Sequence, residues 1–219
     1  MEADFRRFLE YVPYTNENRN VYSPRLLAML LQICGYIDTV FKEMAKYQSF
    51  RRKPNIRAIN NLRANDYRGF SITLARNAFE EIYKLSTNNG TKLIAKLDWV
   101  GDKPLTPFAD FGKNKSPSWW YDYNNVKHNW SANIKRANMD NVLEALSGAF
   151  LLNAIHYPSI ELLWRLGVFK TIIPTGTGPS IHYLSKTTFQ ILLKKARRRR
   201  ELFNYHFIVD TPLFECNNL

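Results

Sequence analysis

Cysteine is almost missing from this chain: only Cys34 and Cys216 occur in 219 residues, far apart. Neither a disulfide framework nor a cysteine-based metal site is expected from so few thiols. Acidic side chains are also scarce, 19 against 31 lysines and arginines, which leaves a net charge of +12. Such an excess favours polyanions through counterion release, and nucleic acid is the expected polyanion. Long apolar runs are lacking as well. The longest, such as "LLAMLLQICGYI", are broken by polar residues before membrane-spanning length, so no membrane segment is expected. No hydrophobic targeting segment precedes the polar start "MEADFRRFLEYVPY", and the expected location is cytoplasmic.

Further absences narrow the chemistry. The histidines His128, His156, His182 and His206 are dispersed without ligand spacing, so no zinc site is expected. Paired carboxylates, G-x-S-x-G and a cysteine–histidine signature are missing. Gly176 and Gly178 lie in "IIPTGTGPSIHYL" without the spacing or strand-to-helix context of a phosphate loop. No internal repeat occurs, and no cofactor is expected.

What remains is a chain with 45% hydrophobic and 14% aromatic residues, ordinary for one folded unit. Ser23-Pro24 reads as a helix start, a capping hydroxyl followed by a proline in the first turn. Leu26, Leu27, Leu30, Ile33, Cys34, Ile37, Phe41 and Met44 then form one apolar stripe at helical spacing. Gly35 interrupts it and is read as a place where another helix approaches closely. Between Pro54 and Ser118 the pattern is weaker. Short helices are expected near Ile56 to Leu62 and Phe79 to Leu85, an apolar alternation at "GFSITLA", and a turn at "TNNG". "KPLTPFADFGKNKSPS" reads as an irregular connection, after which Ser116-Pro117 or Ser118 caps a helix from Trp119. A break near Asn138-Met139-Asp140 precedes a second long core helix to Ile155. A turn at Tyr157-Pro158-Ser159 and a shorter helix, "IELLWRLGVF", follow. In the C-terminal part a short strand is expected at Ile181 to Leu184. "SKTTFQILLKKARRRREL" is expected as a capped helix with Phe189, Leu192, Leu193 and Ala196 inward, and "NYHFIVD" as a strand.

The densest stretch is "WWYDYNNVKHNW", Trp119 to Trp130, with three tryptophans beside amides, a lysine and a histidine. On a helix Asn124 and His128, four apart, emerge side by side.

The order of these parts resembles the higher eukaryote and prokaryote nucleotide-binding (HEPN) family. It is carried by "SPRLLAMLLQICGYIDTVFK", then a polar-plus-histidine motif, then "NVLEALSGAFLLNAI", over roughly Tyr22 to Ile155. Members that cut RNA carry an arginine, a polar residue, three variable residues and a histidine. Here Asn124 and His128 match, and Tyr123 stands where the arginine would be. The resemblance implies a mainly α, HEPN-like helical bundle at 1–166 with a small irregular or β-containing C-terminal extension at 167–219, carrying a basic helix and packed on the same unit. It further implies a metal-independent ribonuclease of a toxin or antiviral defence system, acting as a homodimer through its motif helices, with a regulatory protein as a possible further partner.

In such a reaction the 2′-hydroxyl loses a proton as it attacks the adjacent phosphate, which suits a histidine base. His128 is the candidate base, Asn124 the orienting amide, and Lys127 the candidate cation for charge building on the phosphate oxygens. Because Lys127 lies about 100° round the helix from His128, a second copy would complete the site, with Lys127, Arg136 or a basic-cluster residue of that copy in the arginine's place. Tyr123, Arg136 and the basic run Lys194, Lys195, Arg197, Arg198, Arg199 and Arg200 are the candidate RNA-binding residues. Two alternatives stand beside this: an inactive HEPN-like module that binds nucleic acid or nucleotide and dimerises, and a scaffold whose motif helix is a dimer seam centred on Trp120.

Overall fold

A computed structural model describes residues 1–45, 79–97, 100–156, 169–172, 189–192, 206–209 and 214–218. The expected elements at Ile56 to Leu62, "GFSITLA", Tyr157 to Ser159, most of "IELLWRLGVF" and Ile181 to Leu184 lie outside these residues. So do Lys194, Lys195, Arg197, Arg198, Arg199 and Arg200.

The described part is mostly helical. It begins with α1 (Glu2–Tyr11) and α2 (Pro24–Ala45). Ser23 caps α2 as expected, its hydroxyl accepting from the Leu26 amide at 3.1 Å. Replacing Ser23 by alanine should cost about 1 kcal/mol, measured as a lower urea midpoint by circular dichroism; an unchanged midpoint would show the cap to be dispensable. Ten α2 residues are buried, including Leu26, Leu30, Ile33, Cys34, Ile37, Phe41 and Met44 of the expected stripe. By length and composition alone α2 is long and apolar enough to cross a membrane, a test that the buried core helix of a soluble protein passes as well. In the fold its apolar side packs on other protein segments. Gly35 is exposed, and a Cβ built there would meet nothing within 4 Å. Among the described residues no helix makes the expected close approach there: the glycine sits on the exposed side of the stripe.

Residues 79–83 are helical and lead into a 3₁₀ stretch, Leu85–Gly90, where the turn was expected. Then β1 (Thr91–Leu97) and β2 (Gly101–Leu105) form an antiparallel pair, Leu93 opposite Leu105. β1 was not expected, and β2 takes in the first residues, Lys103 to Leu105, of the expected irregular connection. Asn88 ties it down by donating its side-chain amide to the Leu105 carbonyl at 2.7 Å. A second 3₁₀ stretch, Ala109–Lys113, ends at Asn114 in the left-handed conformation.

The motif helix is α3 (Ser118–His128); its N-cap is Pro117, without the expected hydroxyl cap. A short α4 (Trp130–Asn133) and a 3₁₀ turn follow, then α5 (Met139–Ile155). Asn138 caps α5, accepting from the Asn141 amide at 3.0 Å. The Met139 and Asp140 amides donate to the Val21 and Arg19 carbonyls, each at 3.1 Å. The segment before α2 thus satisfies donors that a helix start would otherwise leave free. α5 packs along α2, and α3 packs against both.

β3 (Phe169–Ile172), β4 (Phe189–Leu192), β5 (His206–Val209) and β6 (Phe214–Asn218) complete the elements. β5 lies between β3 and β4, while β6 adds antiparallel to β1, giving the order β2-β1-β6. The strand at His206–Val209 was expected; β4 was not, since Phe189 and Leu192 were assigned to a helix. Phe189 pairs with Val209 and Leu192 with His206, and such partners, distant in sequence, are invisible to local spacing.

The core explains most of the tryptophan density. Trp119 and Trp120 are 2% and 6% exposed. Their rings extend a chain of edge and tilted contacts: Phe41 to Phe108 at 5.7 Å, Phe108 to Trp119 at 5.7 Å, Trp119 to Trp120 at 5.8 Å and Trp120 to Tyr123 at 5.0 Å. Trp120 therefore belongs to the chain's own core, which argues against a dimer seam centred on it.

Candidate functional site

Helical geometry divides α3 into two sides. Trp119, Trp120, Tyr123 and Val126 are buried. Tyr121, Asn124, Asn125 and His128, spaced three and four apart, occupy the opposite side: Tyr121 and His128 are exposed and the two asparagines are partly so. Asn124 and His128 are therefore neighbours on an open surface. Neither side chain makes a hydrogen bond to another described residue, whereas Asn125 donates to the Tyr121 carbonyl at 3.0 Å.

Tyr123 does not join this surface. It was expected to bind nucleic acid, but its ring is 6% exposed, because its position on the helix faces the aromatic core. The place where the family pattern has arginine is an interior place here. Lys127 is exposed, and its Nζ lies 5.5 Å from the centre of the Tyr123 ring, on the shoulder of α3 away from His128.

Arg136 reaches the surface from the 3₁₀ turn. Its guanidinium lies 5.8 Å from the centre of the Tyr121 ring and pairs with the Asp122 carboxylate. Asp122 also accepts from the Asn141 side chain at 2.9 Å, and Asn141 donates to the Arg136 carbonyl at 2.7 Å. This small network joins α3 to the start of α5 and fixes Arg136 beside Tyr121. From Tyr121 to His128 is about 10 Å along the helix axis, so one copy holds Arg136 and His128 at separate points. Tyr121 and Asp122 were not among the expected site residues; their positions one turn before Asn124 and His128 were the available signal.

A cavity of about 320 Å³ lies elsewhere, between the start of α3 and the first turns of α5, lined among others by Thr106, Asp110, Ser118, Asp140 and Glu144. Its carboxylates disfavour a phosphate ligand, and His128 does not line it. Beside it, Tyr14 donates to Asp140, Lys103 donates to the Tyr14 oxygen, and the Lys103 Nζ lies 3.0 Å from Asp140 Oδ1. Burial pulls the Lys103 ammonium down, but its hydrogen bonds to Tyr14 and Asp140 outweigh this and leave it raised. Burial pushes the Glu144 carboxyl up; Lys103 opposes the shift and Asp140 adds to it.

A raised carboxyl means that the folded protein holds this proton more tightly than the unfolded chain. Stability therefore falls as pH rises from the usual carboxylate range through the folded value. Glu144→Gln should raise the melting temperature at pH 7, and the gain should vanish as pH drops below about 4. Thermal scans across that interval check this; a gain independent of pH would refute the assignment. Among the described residues no group of three or more histidine, cysteine, aspartate and glutamate side chains could hold a metal ion.

Comparison with known proteins adds nothing to this geometry: no protein-family profile, no curated protein and no solved structure matches the chain.

Proposed function

We propose that the open face of α3 is the working surface of a HEPN-like, RNA-directed protein, and that His128 is the base of a metal-independent cleavage. One observation carries the reading: Asn124 and His128 emerge together on solvent-facing helix surface rather than in apolar packing. His128 takes the proton of a ribose 2′-hydroxyl as that oxygen attacks the neighbouring phosphorus. The bond to the 5′-oxygen breaks, that oxygen takes up a proton, and a 2′,3′-cyclic phosphate remains. Asn124 orients the imidazole or a phosphate oxygen. The charge on the phosphate needs a cation near His128, and Arg136 of the same copy stands too far along the helix. A second copy, paired through α3, brings its own Arg136 or Lys127 to that place. This is the organisation of a toxin or defence ribonuclease.

A second reading, an inactive RNA-binding module, draws support from two particulars. Tyr123 fills the family's arginine position with a core ring, and Arg136 is already paired with Asp122. Incubation of wild type and His128→Ala with total RNA, followed by end analysis, separates the two. Cyclic phosphate ends from wild type alone support cleavage. Salt-sensitive binding without cleavage supports the module, and neither activity refutes both.

A further inference from the structure

The cavity of about 320 Å³ between the start of α3 and the first turns of α5 has no part in the reading above. Its walls are of two kinds. Pro107, Pro117 and Trp119 are buried and give it an apolar, partly aromatic floor. Asp110, Asp140 and Glu144 are partly exposed and bring three acidic residues to its sides, with no lysine or arginine among the lining residues. In a chain with a net charge of +12, this recess is of the opposite character.

The three acids are not equivalent. Asp140 pairs with Lys103 at 3.0 Å and Asp110 with Lys113 at 3.8 Å, and their side chains, 31% and 34% exposed, reach water. Glu144 makes no hydrogen bond or ion pair with a described residue, and Lys103 acts on it only as a more distant charge. Its carboxylate is thus left short of a counter-charge in a place where water is partly excluded, which costs stability. Binding sites commonly carry costs of this kind. The first amides of α5, which could otherwise hold an anion, are taken by the Arg19 and Val21 carbonyls and the Asn138 side chain. Nor do the acids converge as metal ligands among the described residues.

A recess with a few polar groups over an apolar floor suits a molecule that is itself of two parts. A compact cation on a short alkyl body answers both: its ammonium supplies the charge that Glu144 lacks, and its hydrocarbon covers the prolines and the indole. We infer that this cavity binds a small organic cation, a primary alkylammonium, with Glu144 as its counter-charge and Pro107, Pro117 and Trp119 as the floor for its alkyl part. The site is separate from the open face of α3, so the inference does not depend on the RNA-directed reading.

The test uses n-butylammonium chloride, with 1-butanol as its uncharged match, butyrate as its anionic one and sodium chloride as the ionic-strength control. Calorimetric titrations and melting curves are recorded at about pH 8, above the carboxylate range. Wild type should bind butylammonium saturably and melt at a higher temperature with it, and the other three solutes should do neither. Glu144→Gln should fold as wild type does and lose about 10- to 150-fold in affinity. Ala109→Leu, which fills the cavity from an exposed lining position and leaves Glu144 in place, should lose the binding as well. Lowering the pH to about 4 protonates the raised carboxyl and should weaken binding by wild type while leaving the residual affinity of Glu144→Gln unchanged. Equal affinity in wild type and Glu144→Gln, or equal binding of butanol and butylammonium, overturns the inference. So does wild-type affinity in Ala109→Leu, which would put the cation outside the cavity. Absence of saturable binding by wild type up to about 10 mM, a generous ceiling for a ligand of about five heavy atoms, overturns it too.

Discussion

Replacing Trp119 by alanine is expected to lower the unfolding free energy by about 3–5 kcal/mol. The indole is 2% exposed and touches the core from two directions. Its ring meets the edge of Phe108 at 5.7 Å and Trp120 at 5.8 Å, so its loss opens a void between the chain of aromatics and α5. Its Nε1 donates to the Pro107 carbonyl at 2.7 Å, leaving that buried acceptor unpaired once the indole is removed. The neighbourhood has little slack: a Cβ added at Gly148 would stand 3.1 Å from Phe108 and 3.4 Å from Trp119. A side chain at this position would press the two rings away from α5 by a few tenths of an ångström. Urea unfolding followed by far-ultraviolet circular dichroism measures the change, with Trp119→Phe expected to retain part of the packing but not the hydrogen bond. A loss below about 0.5 kcal/mol, the range of ordinary surface substitutions, would show that the site collapses around the missing ring.

The opposite outcome is expected one face away. His128→Ala should lower the rate of RNA cleavage by about 10²- to 10⁴-fold, the usual contribution of a positioned base, without lowering the melting temperature. The imidazole is exposed and bonds to no other described residue, so the fold has nothing to lose with it. Asn124→Ala should reduce cleavage less, because an orienting amide acts through the base. Single-turnover cleavage of an end-labelled RNA, with melting curves on the same preparations, provides both readings. Cleavage by His128→Ala at the wild-type rate would remove the base from the mechanism. A fall in stability equal to that of Trp119→Ala would recast His128 as a structural residue.

The long helices were legible because each carries its own signals. The Ser23 hydroxyl, Pro24 and a stripe from Leu26 to Met44 announce α2, and a break near Asn138-Met139-Asp140 followed by helical apolar spacing announces α5. The strands were less legible, for a physical reason. β1 buries Leu93, Ile94, Ala95 and Leu97, with adjacent positions covered, so a clean alternation never develops. β4 presents apolar residues at helical spacing, yet its partner is His206–Val209. A strand is stabilised by whichever chain lies alongside, and sheet preference reflects that context more than the residues themselves. β6 takes a place beside β1 more than a hundred residues upstream.

For the candidate site, sequence alone determined that Asn124 and His128 stand together, since four residues on a helix share a side wherever that helix lies. It likewise determined an excess of positive charge. Only the tertiary structure decided which side of α3 meets water. The large rings of Trp119, Trp120 and Tyr123 must leave solvent, and packing against α2, α5 and Phe108 gives them a place to do so. That packing carried Tyr123 inward and left Tyr121, Asn124 and His128 on the outside. Apolar burial is a long-range property of the assembled core, whereas the spacing of neighbours on a helix is a local one.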